Sequence, residues 1–166
     1  MRGDWLQRVI LRDLNTLRDE LRAYAQEEDL WISLPGTPNS AGTLVLHLTG
    51  NLQHFIGAQL GATGYVRDRE AEFADRHVPR AELERRIDHA IAAVEHALDS
   101  LPQGALEREY PRAVSGARLP TGLFLTHLAT HLAYHLGQID YHRRILTANT
   151  AGVGAQSIPA LVSVEP

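Results

Sequence analysis

The chain has 166 residues, enough for one domain with a real hydrophobic core, and a formal net charge of -4. It contains no cysteine, and all 16 of its counted basic residues are arginine. Disulfides, zinc–thiolate sites, a cysteine nucleophile and a lysine Schiff base are therefore excluded, and the mild negative charge without a basic patch disfavours nucleic-acid binding.

No apolar run reaches the roughly 18 residues that a membrane span needs, so no membrane association is expected. The opening segment, Met1 to Ile10, mixes charges with apolar residues and does not read as a secretory signal. Absence of cysteine fits a cytoplasmic location. The first helix is predicted from Gly3 to Gln26, where Ile10, Leu14, Leu17, Leu21 and Tyr24 follow helical spacing. A second is predicted from an N-capping Ser40 to Leu60, with Leu44, Leu48, Leu52 and Phe55 inward. A third opens at Pro79, runs through Leu83, Ile87, Ala90, Ile91, Val94 and Leu98, and stops before Pro102. A fourth follows Pro120, with Thr121 as cap, and ends near Thr147.

No strand alternation and no internal repeat is visible. The predicted fold is all-α, a four-helix bundle over residues 1–148. The run from 149 to 166, rich in Gly, Ala, Ser and Pro, reads as an irregular tail. The connections Asp29–Asn39, Gly64–His77 and Gln103–Leu119 exceed the roughly 2–8 residues usual between bundle helices. Long connections permit crossovers between non-adjacent helices and can shape a pocket. The stretch Tyr110–Ala117 has room for a short extended or turn element.

Chemistry concentrates in histidines. His127, His131 and His135 recur at every fourth position, each step turning the side chain by about 40°, so all three share one stripe of the last helix. Gln138 and His142 fall in the same stripe. Two imidazoles at i, i+4 can grip one transition-metal ion. The interleaved Leu128, Ala129, Leu132, Ala133 and Leu136 imply burial, which favours the neutral, ligating imidazole. A third ligand must come from elsewhere, and the second helix offers His47 and His54 on one face. Spacing leaves a His127–His131 pair open beside His131–His135.

The competing reading is structural: histidines hydrogen-bonded in a core, with Trp5, Leu6 and Val9 available for a subunit surface. His77, His89 and His96 read as surface or boundary residues without a role. Asp140 points away from the stripe and reads as a salt-bridging residue. Asn51, one turn after His47, is placed either to orient a ligand or to bond within the core. Gly50 and Gly137 would permit close approach of the backbone on the two histidine helices. Ser115 lacks the strand–turn–helix context of a nucleophile elbow, and no glycine-rich phosphate loop is present.

The segment Leu44–Leu52, paired with the late segment His131–Arg144, resembles the DinB/YfiT-like superfamily. The resemblance spans all four helices in order and stops at about Ala148. It implies a four-helix bundle, a homodimer and one divalent metal ion held by three histidines. Carried onto this sequence, the ligands are His47, His131 and His135, with His127 one turn before the pair. Zinc and nickel are the metals expected, though imidazoles also suit copper and iron. Relatives of this type include S-transferases using low-molecular-weight thiols such as bacillithiol or mycothiol, a thiol-dependent maleylpyruvate isomerase, and proteins described as metal-dependent hydrolases. The expected function is activation of a bound thiol or water for a small-molecule substrate. The alternative is a non-catalytic metal- or ligand-binding bundle of a stress response. No catalytic side chain beyond the ligands is assigned, and Gln138, Asn51 and His127 stand as candidates for orienting the ligands.

Overall fold

A computed structural model describes residues 3–162; Met1, Arg2 and 163–166, the last four residues of the tail, lie outside them. The chain forms α1 (Gly3–Arg22), α2 (Ala41–Leu52), α3 (Arg69–Ala74), α4 (Arg80–Asp99) and α5 (Thr121–Thr147). From α2 the helix runs on through a π-helical stretch, Gln53–Ala58, and a last turn, Gln59–Gly61. Among the described residues there is no strand. Isolated antiparallel bridges join Glu109 to Pro120 and Val114 to Ala117, the turn element anticipated in that region.

The four long helices form the expected bundle. Ile10, Leu14, Leu17 and Leu21 of α1 are fully buried or nearly so, as are Leu83, Ile87 and Val94 of α4 and Leu128, Leu132 and Leu136 of α5. Every residue of α2 from Ala41 to Leu52 is buried. Both α1 and α2 pack against α4 and against α5. Consecutive α1 and α2 therefore sit across the bundle from each other, as do α4 and α5, and two of the long connections are these diagonal crossings.

Several boundaries follow from local chemistry. Ser40 caps α2 as predicted, accepting from the Thr43 amide. Thr121 does not cap α5; it is the first helical residue, and its hydroxyl donates to the Arg108 carbonyl. The first helix ends at Arg22 rather than Gln26, and the chain turns into a short 3-10 helix, Glu28–Trp31. α3 lies inside the long connection Gly64–His77. Asp68 caps it by accepting from the Ala71 amide at 2.9 Å. With six residues it is too short for any hydrophobic period to show.

Residues 149–162 lie back along the bundle. Arg143 donates to the Ala151 carbonyl at 3.0 Å, and Arg8 donates to the Leu161 carbonyl at 3.1 Å. Leu6 is buried in the core, so of the proposed surface residues only Trp5 is well exposed, at 61%. No helix among the described residues is long and apolar enough to cross a membrane.

Candidate metal centre

Because α2 and α5 pack side by side, His47 faces His131 and His135. Their ligating atoms all lie within 4.8 Å of one another. The Nε2 atom of His131 is 3.3 Å from that of His47 and 3.1 Å from that of His135. The ring planes are mutually close to perpendicular, at 84° for His47–His131, 90° for His47–His135 and 89° for His131–His135. Three imidazole edges thus converge on one point from two helices.

Neighbouring residues set which nitrogen of two of these rings carries the proton. His47 Nδ1 lies 3.1 Å from Glu72 Oε2, and the ring donates there, since a carboxylate only accepts. Arg67 Nη2 is also 3.4 Å from the same nitrogen. A guanidinium only donates, so the shorter Glu72 contact decides the tautomer. His135 Nδ1 is 2.7 Å from Gln138 Oε1 and donates to it. Both Nε2 atoms are therefore bare lone pairs aimed at His131. Such a cluster is unfavourable unless a cation or proton lies between them. Two imidazole nitrogens on one tetrahedral ion, each about 2.0–2.1 Å away, would be about 3.3 Å apart. The observed separations fit that geometry.

Electrostatics favour the ligating form. Burial, with the fields of His135, His47, His127 and Arg67, pushes His131 down to about 4. Burial also lowers His135, against the opposing hydrogen bond of Gln138. Burial works to raise the Glu72 carboxyl, but the hydrogen bonds from His47 and Arg67 outweigh it and hold the group below its ordinary value. Arg67 grips the carboxylate at both oxygens, Nε to Oε1 at 2.6 Å and Nη2 to Oε2 at 2.7 Å. Phe73 covers the His47 ring, with centroids 5.0 Å apart. The Glu72–His47 pair has the form of the carboxylate–imidazole pairs that orient metal ligands.

Glu72 is the residue that sequence reasoning missed. Its signal was local, a capping Asp68 followed by good helix formers, but nothing near it in sequence marked His47 as its partner. Gly50 is needed for this contact: a Cβ there would run into the Glu72 carboxylate. Gly50→Ala is expected to displace Glu72 and weaken metal binding by roughly 10–100-fold, read by competition with a chelating dye. Unchanged affinity would remove Glu72 from the role of orienting His47. Gly137, by contrast, meets nothing within 4 Å.

The remaining histidines stand apart. His127 is exposed and stacks between Phe124 and His131, each centroid 6.0 Å away. His142 shares the stripe but is a core residue. Its Nε2 donates to the Ile32 carbonyl at 2.8 Å, so Nδ1 accepts the Tyr24 hydroxyl at 2.7 Å. His54 accepts from Arg112 at 3.3 Å, outside the cluster. His77, His89 and His96 are exposed. Asn51 is buried one turn beyond His47, and its Oδ1 has no hydrogen-bond partner among the described residues. Asp140 pairs with Arg144 and Arg143, as expected of a salt-bridging residue.

No curated protein and no solved structure matches the chain. The family model described as "Protein of unknown function (DUF1572)" matches residues 3–159. Since that match covers nearly the whole chain, the protein belongs to the DUF1572 family.

Proposed function

We propose that this is a DinB/YfiT-like protein in which His47, His131 and His135 hold one divalent transition-metal ion, zinc or nickel. The observation that carries the reading is the convergence of three Nε2 atoms, two of them stripped of their proton by hydrogen bonds at the opposite nitrogen. Three protein ligands leave a coordination position open, the arrangement of catalytic rather than closed structural sites. Bound there, such an ion would lower the pKa of a ligating thiol or water and supply a nucleophile at neutral pH.

The chain's own residues do the positioning. Glu72 and Arg67 lock the His47 ring, and Gln138 locks His135. The protein has no cysteine or lysine nucleophile, so an external thiol or water would take that part. Thiol S-transfer is the activity we favour over hydrolysis, from the resemblance of the two histidine segments. A homodimer, implied by the same resemblance, belongs to the proposal.

The test is turnover by metal-loaded protein with bacillithiol or mycothiol and the electrophile monochlorobimane. The thiolate sulfur displaces chloride, a C–S bond replaces the C–Cl bond, and the thiol proton goes to solvent. Thiol-dependent formation of the fluorescent conjugate, lost in His131→Ala, is the expected result. Hydrolysis of p-nitrophenyl acetate without thiol dependence would move the assignment to a hydrolase. Stoichiometric metal without either turnover would make this a non-catalytic metal-binding bundle.

A further inference from the structure

Beside the three histidines, the chain from Ile32 to Asn39 arches over the second half of α5. The arch closes on a turn in which the Leu34 carbonyl accepts from the Thr37 amide at 3.0 Å, with Gly36 in the left-handed region at φ 81. Between the arch, α2 and α5 lies a cavity of about 420 Å³. Its size falls within the roughly 300–1,000 Å³ of small-molecule sites. His135 and Gln138 are among its lining residues, so the cavity adjoins the three-histidine site.

The chemistry of the walls is specific. Leu34 and Pro38 come from the arch, Leu44 from α2, and Tyr134, Tyr141 and Ile145 from one stripe of α5. Among the described residues, no carboxylate and no guanidinium lines the cavity. His142 reaches it, but both its ring nitrogens are already engaged by Tyr24 and Ile32. A charged ligand would lose its hydration here without meeting a counter-charge, whereas an uncharged apolar one gains by burial. Tyr134, Tyr141 and Ile145 are 65%, 69% and 64% exposed. Single exposed apolar side chains are ordinary, but three flanking one cavity mark a binding surface. A cavity of equal size between α1 and the C-terminal segment has Arg8, Arg12 and Asp19 in its lining and so offers charged partners.

We infer that this cavity receives the uncharged, apolar body of a small organic substrate whose reactive end reaches the His135 side of the three-histidine site. The direction of the reactive end rests on the metal-site reading; the cavity's preference for neutral apolar ligands does not. Tyr141 and Ile145 then determine specificity, because they line the cavity from α5 beyond His135, towards the C-terminal end of the helix.

The test is titration of the metal-free protein with the neutral naphthalene dye prodan, followed by its emission shift. Saturable binding at one site per chain is expected. Ile145→Glu and Tyr141→Glu, both at exposed positions, should weaken it by at least about tenfold, since a carboxylate on that wall must be desolvated. Leu123→Glu, at a 56% exposed leucine of the same helix outside the cavity, should leave it unchanged. Non-saturable binding, or an equal loss in all three variants, would overturn the proposal. So would binding that weakens as protein concentration rises, which would place the cavity inside a contact between copies. In wild type, dye bound without metal sustains the cavity and removes the metal site, and metal bound without dye does the reverse; His131→Ala should lose metal and keep the dye.

Discussion

Replacing His131 with alanine is expected to abolish stoichiometric metal binding while leaving the helices intact. His131 is the middle ring of the three, with its Nε2 within 3.3 Å of His47 and 3.1 Å of His135. Removing it takes a proposed ligand from the centre of the cluster. The loss should therefore exceed the roughly 10–100-fold typical when a residue that only orients a ligand is removed. The fold should survive, because alanine is the best helix former and the ring packs only partly into the core. Elemental mass spectrometry on untagged protein gives the metal content, and circular dichroism gives the helicity. His89→Ala, at an exposed position on α4, should keep its metal. Full metal in His131→Ala would remove the ligand assignment altogether. Acid offers a second readout, since only the neutral ring ligates. Burial holds His131 down to about 4, so this ring stays neutral into mildly acid solution, and bound metal should be released as acid protonates any one of the three ligand nitrogens.

The largest effect on stability is expected away from the metal centre, at the buried pair Arg143–Glu20. Both side chains have 0% exposure, and Arg143 Nε lies 2.5 Å from Glu20 Oε2. Arg143 also reaches Asp140 Oδ1 at 3.1 Å and the carbonyl of Ala151 at 3.0 Å. One guanidinium thus ties α1, α5 and the C-terminal segment together. Arg143→Met leaves the Glu20 carboxylate buried beside Asp140 without its partner, which should cost about 3–5 kcal/mol. For a chain of this size that corresponds to a fall in Tm of roughly 6–20 °C. The double variant Glu20→Met with Arg143→Met should recover most of the loss, because a buried pair contributes little beyond an apolar pair of similar volume. Thermal unfolding of the metal-free proteins measures both. A fall of less than about 2 °C in Arg143→Met would show that water reaches the pair and screens it.

These two sites lie on the same helix and were legible to different degrees. The four-residue spacing of His131 and His135 placed them on one stripe, because side chains at i and i+4 stack on any α-helix. The alternation of apolar residues around them foretold burial. Ser40, Pro79 and Pro120 marked helix starts through local backbone chemistry. The long connections permitted crossovers, and α1 and α2 do sit across the bundle from one another.

Local periodicity determined which residues share a face; it could not determine what that face meets at each height of the bundle. His127, His131, His135 and His142 lie on one stripe, yet the first is exposed and the last is bonded to Tyr24 and Ile32. Only at the level of His131 and His135 does α2 bring His47 across. The carboxylate on His47 comes from Glu72, 25 residues away, on a helix too short to show a period and seated against a glycine. The apolar cavity likewise needs an arch, a turn of α2 and a stripe of α5 brought together. Such contacts depend on the packing of distant segments, and only the tertiary structure decided them, whereas the sequence alone determined the helices and the histidine column.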